Sequence, residues 1–343
     1  MKLRINMLSK ADSVPGQGVG SAYLEQVNLV KDIDSLEIEI NSKKKDFDIY
    51  HIHSINPTFK MRMNKKRLDV VYVHFIPAKN HESIKLPKLF EKIFDRYVEN
   101  FYRKADELVV VNPYFKSDLI KLGIKEEKIT YIPNYVNHDE FFNLSKEEIK
   151  KFKEKYGIPK DKFVVLGCGQ IQTRKGIDDF VEVAKNNPDK FFVWSGGFSF
   201  GRLMHGYRKY KKLFKNLPQN MVNIPILDRK SMNSIFNICD VLFMPSYMEL
   251  FPMTILEIAN IGKPILLRDL ELYEPILFDK YAKGKDVQEF TLELEKLKND
   301  VTYYKLQSDN SKYISEYYNK ERLMKMWDEY YHRIYENWKS NNK

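Results

Sequence analysis

The fold is decided by the stretch Pro245-Ser246-Tyr247-Met248-Glu249-Leu250-Phe251-Pro252-Met253-Thr254-Ile255-Leu256-Glu257-Ile258-Ala259-Asn260-Ile261-Gly262-Lys263-Pro264. It follows the strand-length apolar run Val241-Leu242-Phe243-Met244. Pro252 stands where the first residue of a helix belongs, and Gly262 with Pro264 closes that helix. A strand running into a helix is the repeating unit of parallel α/β sheets. Glu249 then precedes the helix, and Glu257 lies about one and a half turns inside it. Between them the N–H groups of Met253, Thr254 and Ile255 open a helix N-terminus, which attracts anions. Two carboxylates flanking such an end suit a ligand with a diphosphate in its middle and sugar hydroxyls at both ends. Two solvated helix glutamates are the plain alternative for the pair taken alone.

Outward from this stretch, short β-rich runs alternate with segments of helical period. Strands are predicted over 3–8, 36–40, 47–52, 70–75, 108–111 and 129–132, with helices over 22–30 and 86–102. The apolar stripe of the second helix, from Leu86 through Leu89, Phe90 and Ile93 to Tyr102, reads as a face packed on the sheet. Ser145 and Glu148 form a capping box for a charged helix that Gly157-Ile158-Pro159 stops. The alternation then restarts, with strands over 163–166, 191–194, 222–224, 241–244 and 265–267. Helices begin near Gly176, Arg229 and Pro252, and a long amphipathic helix runs over 319–338. No period of 20–50 residues repeats, which excludes a solenoid. Two doubly wound units, 1–157 and 158–318, with a cleft between them are expected.

Composition sets bounds on this reading. The 343 residues are 43% hydrophobic and 14% aromatic, enough for two ordinary cores and against a disordered chain. No apolar run approaches the ~20 residues of a membrane helix. The first ten residues are too short and too charged to read as a signal peptide. The two cysteines, Cys168 and Cys239, both in apolar runs, give neither a disulfide framework nor a zinc spacing. A cytosolic chain, or one that visits a membrane from the cytosolic side, is expected. Lys and Arg number 57 against 47 Asp and Glu, a net +10. The excess divides evenly about residue 155, so any functional positive charge lies in local patches. Nucleotide diphosphates, nucleic acid or acidic lipid are the partners such charge favours.

Three further constellations lie at strand ends. Gly167-Cys168-Gly169-Gln170-Ile171-Gln172-Thr173-Arg174-Lys175-Gly176 puts two adjacent cations on the cleft rim, where charge on a leaving phosphate could be held. Ser13-Val14-Pro15-Gly16-Gln17-Gly18-Val19-Gly20-Ser21 supplies three glycines for close backbone approach to a phosphate. A dinucleotide fingerprint needs its first glycine immediately after the strand, and here a longer loop intervenes. His51 and His53 share one face of a strand by alternation, and His74 ends the next strand at a carboxyl edge. Asp46-Phe47-Asp48 matches an Asp-x-Asp metal pattern but begins a strand, on the wrong edge for the cleft, so no metal is expected there.

Together these residues resemble the retaining glycosyltransferases of the GT-B fold, in the family with a Glu-x7-Glu motif, here Glu249 to Glu257. The segments 48–53, His74, 105–111, Tyr131-Ile132-Pro133-Asn134 and Arg174-Lys175-Gly176 carry the likeness over nearly the whole chain. It implies two Rossmann-like domains facing a cleft, the first on the acceptor and membrane side and the second binding a nucleotide sugar. The final helix (319–343) would cross back to the first domain. It further implies that Arg174 and Lys175 grip the donor diphosphate, Glu249 binds the donor sugar hydroxyls and Glu257 the ribose. His74 would stand near the reacting sugar, and the Gly16, Gly18 and Gly20 loop would act as a phosphate-side lid. The family usually has Gly where Leu250, Pro252 and Tyr135 stand; Pro252 has no N–H, so the diphosphate would rely on the amides after it.

Residues 11–26 and 194–201 resemble more narrowly the bacterial synthases that add a second sugar to monoglucosyl-diacylglycerol. Basic, apolar-laced stretches agree with a lipid acceptor. Phe59-Lys60-Met61-Arg62-Met63-Asn64-Lys65-Lys66-Arg67 holds five cations, and 201–215 holds six. At ~1 kcal/mol per cation near an anionic surface, either supplies about 5 kcal/mol before screening. Insertion of Phe59, Met61 and Met63 would add roughly 1.5 kcal/mol for each well-buried side chain.

The expected reaction is therefore transfer of glucose from UDP-glucose to monoglucosyl-diacylglycerol, with retention, at the cytoplasmic face of the cell membrane. No cofactor and no metal are expected beyond the UDP-sugar. UDP-galactose is the alternative donor, and a polysaccharide or protein the alternative acceptor. No basic-aromatic motif of a nucleic-acid module is present, so nucleic acid is not expected as a partner.

Overall fold

The computed structural model describes residues 2–10, 18–64, 66–77, 88–199, 201, 204 and 206–342. Six strands, β1 (Leu3–Leu8), β2 (Leu36–Ile40), β3 (Ile49–Ile52), β4 (Leu68–Val73), β5 (Glu107–Val110) and β6 (Ile129–Tyr131), pair in parallel in the order β2-β1-β3-β4-β5-β6. Six more, β7 (Phe163–Cys168), β8 (Lys190–Ser195), β9 (Met221–Ile224), β10 (Val241–Met244), β11 (Ile265–Arg268) and β12 (Ala282–Gly284), form a second parallel sheet, β12-β11-β10-β7-β8-β9. Every residue of β3, β4, β8, β10 and β11 is buried, because helices cover both faces of a doubly wound sheet. That is why these strands read as largely apolar runs, interrupted only by the buried His51, Asp69, Lys190, Ser195 and Arg268.

In each sheet the chain order reverses beside the first strand, between β1 and β3 and between β7 and β10. Ligands of such sheets bind outside the carboxyl ends at these reversals. The β7 end continues into Arg174-Lys175-Gly176 and the β10 end into Glu249, so both motifs converge at one reversal point.

The capping box forms as expected. Ser145 N–H donates to Glu148 Oε2 at 2.9 Å, and Glu148 N–H donates to Ser145 Oγ at 3.3 Å. The Lys320–Asn341 helix returns to the first sheet, where its Trp327, Tyr330 and Tyr331 are buried. Tyr335 Oη donates to Asp48 Oδ1 at 2.7 Å, and Arg4 N–H donates to Asp48 Oδ2 at 2.9 Å. Asp46 pairs with Arg4, so both carboxylates of the Asp-x-Asp match are spent on the fold.

Two expectations fail here. The helix expected from residue 22 starts at Gly18 and runs to Lys31, which places Gly18 and Gly20 in its first turn rather than in a loop. The Lys88–Lys104 helix buries only its C-terminal half, through Val98, Phe101 and Tyr102. Leu89, Phe90 and Ile93 are 68%, 59% and 55% exposed, so the front of its apolar stripe faces outward instead of packing on the sheet. Strand β12 and the helices Val287–Asn299 and Val301–Tyr317 were not expected, although the buried Phe290, Leu294 and Leu297 of the first helix recur at helical spacing.

Candidate active site

The turn after β7 holds Arg174 and Lys175 against the loop after β10. It is a single 3₁₀ turn, Thr173–Lys175, closed by Gly176 at φ 68°. A Cβ on Gly176 would stand 2.1 Å from the Pro245 carbonyl oxygen, so only glycine lets the two loops meet. Tyr247 N–H donates to the Arg174 carbonyl at 2.8 Å, completing the junction.

Glu249 is buried between the two cations. Lys175 Nζ donates to its Oε1 at 2.5 Å, and Arg174 Nη1 lies 3.3 Å from its Oε2 while also donating to the Met248 carbonyl. Burial alone would raise the Glu249 carboxyl, but the charges of Lys175 and Arg174 overcome it and hold it below the ordinary value. Glu249 is thus ionised at neutral pH, and it fixes both cations between the β7 and β10 loops.

The helix beyond runs Met253–Ile261, with Pro252 as its N-cap rather than its first residue. The expected set of three free amides shrinks by one, because Ile255 N–H donates to the Pro252 carbonyl at 3.2 Å. Met253 and Thr254 remain at the helix mouth. Glu257 is buried one turn further in, and burial raises its carboxyl to about 7 even with Arg229 Nη1 at 3.5 Å. Sequence reasoning missed Arg229. It opens the Arg229–Ile238 helix and also pairs with Glu25 of the first domain and with Glu140, tying the Glu257 end of the site to the opposite wall. Nothing in its local sequence signals that role.

His74 follows β4 in the first domain. Its Nε2 is 3.5 Å from His53 Nδ1, and its ring lies 4.6 Å from that of Tyr72. His51 continues the row, with Nδ1 2.7 Å from Tyr331 Oη. Burial lowers His74 and His51 to about 3, so the row is neutral and serves as hydrogen-bonding groups, not charges.

Gly18 has open space where a Cβ would stand, and Gly20 is buried; Gly16 lies outside the described residues. The basic stretch at 59–67 differs from its expected form. Phe59 and Met63 are core residues, 6% and 2% exposed, and only Met61 is free, at 75%. Arg62 donates to the Ser42 carbonyl at 2.8 Å, and the Arg67 guanidinium covers the Tyr50 ring at 3.6 Å. Lys60 lies 4.8 Å over the Tyr97 ring, Lys66 is exposed, and Lys65 lies outside the described residues. The amphipathic period that suggested insertion instead seats this short helix on the sheet. In the second stretch Tyr207, Arg208, Lys211, Lys212 and Lys215 line an open cavity of about 570 Å³. Among the described residues no cluster of His, Cys, Asp and Glu could hold a metal, and no helix is long and apolar enough to cross a membrane.

Known proteins resemble this chain in sequence and in fold. Residues 148–320 match the profile of glycosyl transferases group 1, and 33–140 that of glycosyltransferase family 4. The alpha-galactosylglucosyldiacylglycerol synthase of Streptococcus pneumoniae is 39% identical over 336 residues, 97% of this chain and 90% of that one. The processive diacylglycerol alpha-glucosyltransferase of Acholeplasma laidlawii is 27% identical over 88% of this chain and 92% of its own. Anabaena HepE, solved with UDP-glucose, superposes with a TM-score of 0.77 at 13% identity, covering 96% of this chain and all of that one. Sucrose-phosphate synthase from Thermosynechococcus elongatus superposes at 0.80 and 13% identity, over 98% of this chain and 100% of its own. The chain belongs to the glycosyl transferases group 1 family, and it is a glycosyltransferase of the GT-B fold.

Proposed function

We propose that the protein transfers a hexose from a UDP-hexose to the glucosyl headgroup of monoglucosyl-diacylglycerol, with retention, giving an α-linked diglycosyl lipid. The observation that carries this reading is Glu249 held between Lys175 and Arg174 at the sheet reversal, with the Met253 and Thr254 amides and Glu257 in line beyond it. In this reading Glu249 accepts hydrogen bonds from the donor sugar and Glu257 from the ribose. Lys175, Arg174 and the helix mouth hold the diphosphate as charge develops on it. The bond from the anomeric carbon to the diphosphate breaks, and the acceptor oxygen bonds that carbon on the same face. The acceptor proton passes to the departing phosphate oxygen. Neutral His74 orients a hydroxyl near the reacting sugar. The relatives' names support a diacylglycerol acceptor. UDP-galactose is the second reading, favoured by the 39% identical relative named for a galactosylglucosyl product.

A peripheral place at the cytoplasmic face of the cell membrane belongs to the same proposal, with the docking face moved from Phe59 to the front of the Lys88–Lys104 helix. At 100° per residue, exposed Lys88, Lys92 and Arg96 form one row beside exposed Leu89, Phe90 and Ile93. Three cations contribute about 3 kcal/mol at an anionic surface, and each inserted side chain about 1.5 kcal/mol. The test gives purified protein UDP-glucose or UDP-galactose with monoglucosyl-diacylglycerol micelles, with and without anionic lipid, and identifies the product by mass and its anomer by NMR. A diglycosyl lipid supports the reading and names the sugar. Donor hydrolysis with no lipid product redirects the acceptor to a polysaccharide or protein.

A further inference from the structure

The loop that carries Glu249 is held from the other domain. Asn112, just beyond β5 and fully buried, donates from Nδ2 to the Leu250 carbonyl at 2.9 Å and to the Leu272 carbonyl at 2.8 Å. Asn134, just beyond β6 and 6% exposed, donates from Nδ2 to the Phe251 carbonyl at 2.8 Å. Two carbonyls can be met only by an amide nitrogen, so the orientation of Asn112 is fixed by its partners. The other end of each amide is also engaged: Asn112 Oδ1 accepts from Tyr114 N–H at 3.0 Å, and Asn134 Oδ1 from Tyr72 Oη at 3.3 Å.

These contacts bracket Glu249 closely. Within four residues, the Met248 carbonyl is taken by Arg174 of the donor domain, and the Leu250 and Phe251 carbonyls are taken by the first domain. The peptide between Leu250 and Phe251 is trans, so its N–H points opposite to the carbonyl that Asn112 holds. Asn112 therefore turns the Phe251 N–H away from the first domain, and no acceptor for it is found among the described residues. Pro252 offers no N–H, which makes this amide the last backbone donor before the helix mouth. Tyr72 completes a continuous path. Its ring packs on His74 and its hydroxyl orients Asn134, so the acceptor-side histidine and the donor-side loop share one rigid chain of contacts.

We propose that Asn112 and Asn134 are positioning residues through which the acceptor-side domain sets the geometry of Glu249 and of the Phe251 N–H. The donor-sugar subsite is then complete only when the two domains are docked. The inference rests on the reading of Glu249 as the donor-sugar ligand.

The test compares Asn112→Ala, Asn134→Ala, Tyr72→Phe and Glu249→Gln. It measures thermal unfolding, calorimetric affinity for UDP and for the accepted UDP-hexose, and the split between kcat and KM. In the asparagine variants UDP affinity is expected to hold, while the UDP-hexose loses its advantage over UDP. Turnover is expected to fall about 10²-fold, as for a small misplacement at the reacting centre. Tyr72→Phe, which removes one oxygen and keeps the packing, is expected to move the same readouts by a smaller factor and to add nothing on top of Asn134→Ala. Folded asparagine variants with unchanged sugar discrimination, beside a crippled Glu249→Gln, overturn the clamp alone. Equal loss of UDP and UDP-hexose affinity with a lower unfolding temperature also overturns it, in favour of a structural role. Wild-type kinetics in Glu249→Gln overturn the donor-ligand reading, and the clamp with it. Should the alanine variants not fold, Tyr72→Phe decides: unchanged discrimination overturns the proposal.

Discussion

Lys175 Nζ stands 2.5 Å from Oε1 of Glu249, and both side chains are almost wholly buried, at 12% and 7% exposure. Removing Lys175 leaves the buried Glu249 charge with only the longer 3.3 Å contact to Arg174, a destabilisation approaching the ~3–5 kcal/mol of a broken buried pair. Lys175→Met is therefore expected to lower stability by that order and to abolish transfer. Arg174→Ala, whose partner keeps Lys175, is expected to cut kcat roughly 10²–10³-fold while leaving the protein folded. Denaturant unfolding and steady-state kinetics on the same preparations check both, and an Arg174→Ala enzyme with full turnover would remove Arg174 from the diphosphate site.

Glu257 gives the site a pH dependence. Burial raises its carboxyl to about 7 from an ordinary 4.5, with Arg229 opposing and Glu140 reinforcing the shift. A carboxyl raised in the folded state stabilises most below 4.5, and that contribution is lost as pH rises through about 7. The ribose contact proposed for Glu257, by contrast, is stronger with the ionised form as acceptor. UDP affinity is expected to tighten across the same window in which stability falls, and Glu257→Gln is expected to flatten both profiles. Calorimetric titration and thermal unfolding at a series of pH values read the two directions independently.

The two apolar surfaces of the first domain should separate cleanly. Phe90→Glu with Ile93→Glu is expected to leave unfolding unchanged and to abolish co-sedimentation with phosphatidylglycerol vesicles at low salt. Phe59→Ala empties a core position and is expected to lower stability by about 3–5 kcal/mol without a specific effect on vesicle binding. Vesicle binding that survives the double charge substitution would clear the Lys88–Lys104 helix of this role.

Two glycines with nearly equal φ angles should respond differently. Gly157, at 66°, has nothing near an added Cβ, so Gly157→Ala carries only the left-handed backbone term, roughly 1–2 kcal/mol. Gly176, at 68°, would drive its Cβ into the Pro245 carbonyl, so Gly176→Ala must also part the two loops that carry Lys175 and Glu249. A larger loss of stability together with lost UDP-hexose binding is expected at Gly176 alone.

The α/β class was readable because buried parallel strands favour apolar runs: β10 is one, and β1 and β2, though Arg4, Asn6, Glu37 and Glu39 interrupt them, begin and end where their β-rich stretches do. The Glu249 and Glu257 pair was readable because proline and glycine punctuate the helix between them. Other features depend on neighbours far away in sequence. Leu89 and Phe59 look alike as members of amphipathic segments, and only packing decides that one faces out and the other in. Arg229 joins Glu25 across roughly two hundred residues, and Asn112 reaches Leu250 across 138. Ile255 was counted as a free amide because a proline start suggests three open donors, whereas the first turn tightens and takes one of them.

The return of the Lys320–Asn341 helix to the first sheet gives the chain a temporal order. During synthesis the strands of the first domain leave the ribosome early, but the face over His51 and Tyr72 stays uncovered until Trp327 and Tyr331 emerge some 250 residues later. The second domain has all its strands by Gly284 and can condense while that face still waits. The last contacts of the first sheet thus form late, and a message cut short upstream of residue 320 yields a formed second domain beside a first domain with an open seam. Such a product would present aromatic surface to chaperones and proteases, because the helix over residues 320–341 that covers it is missing.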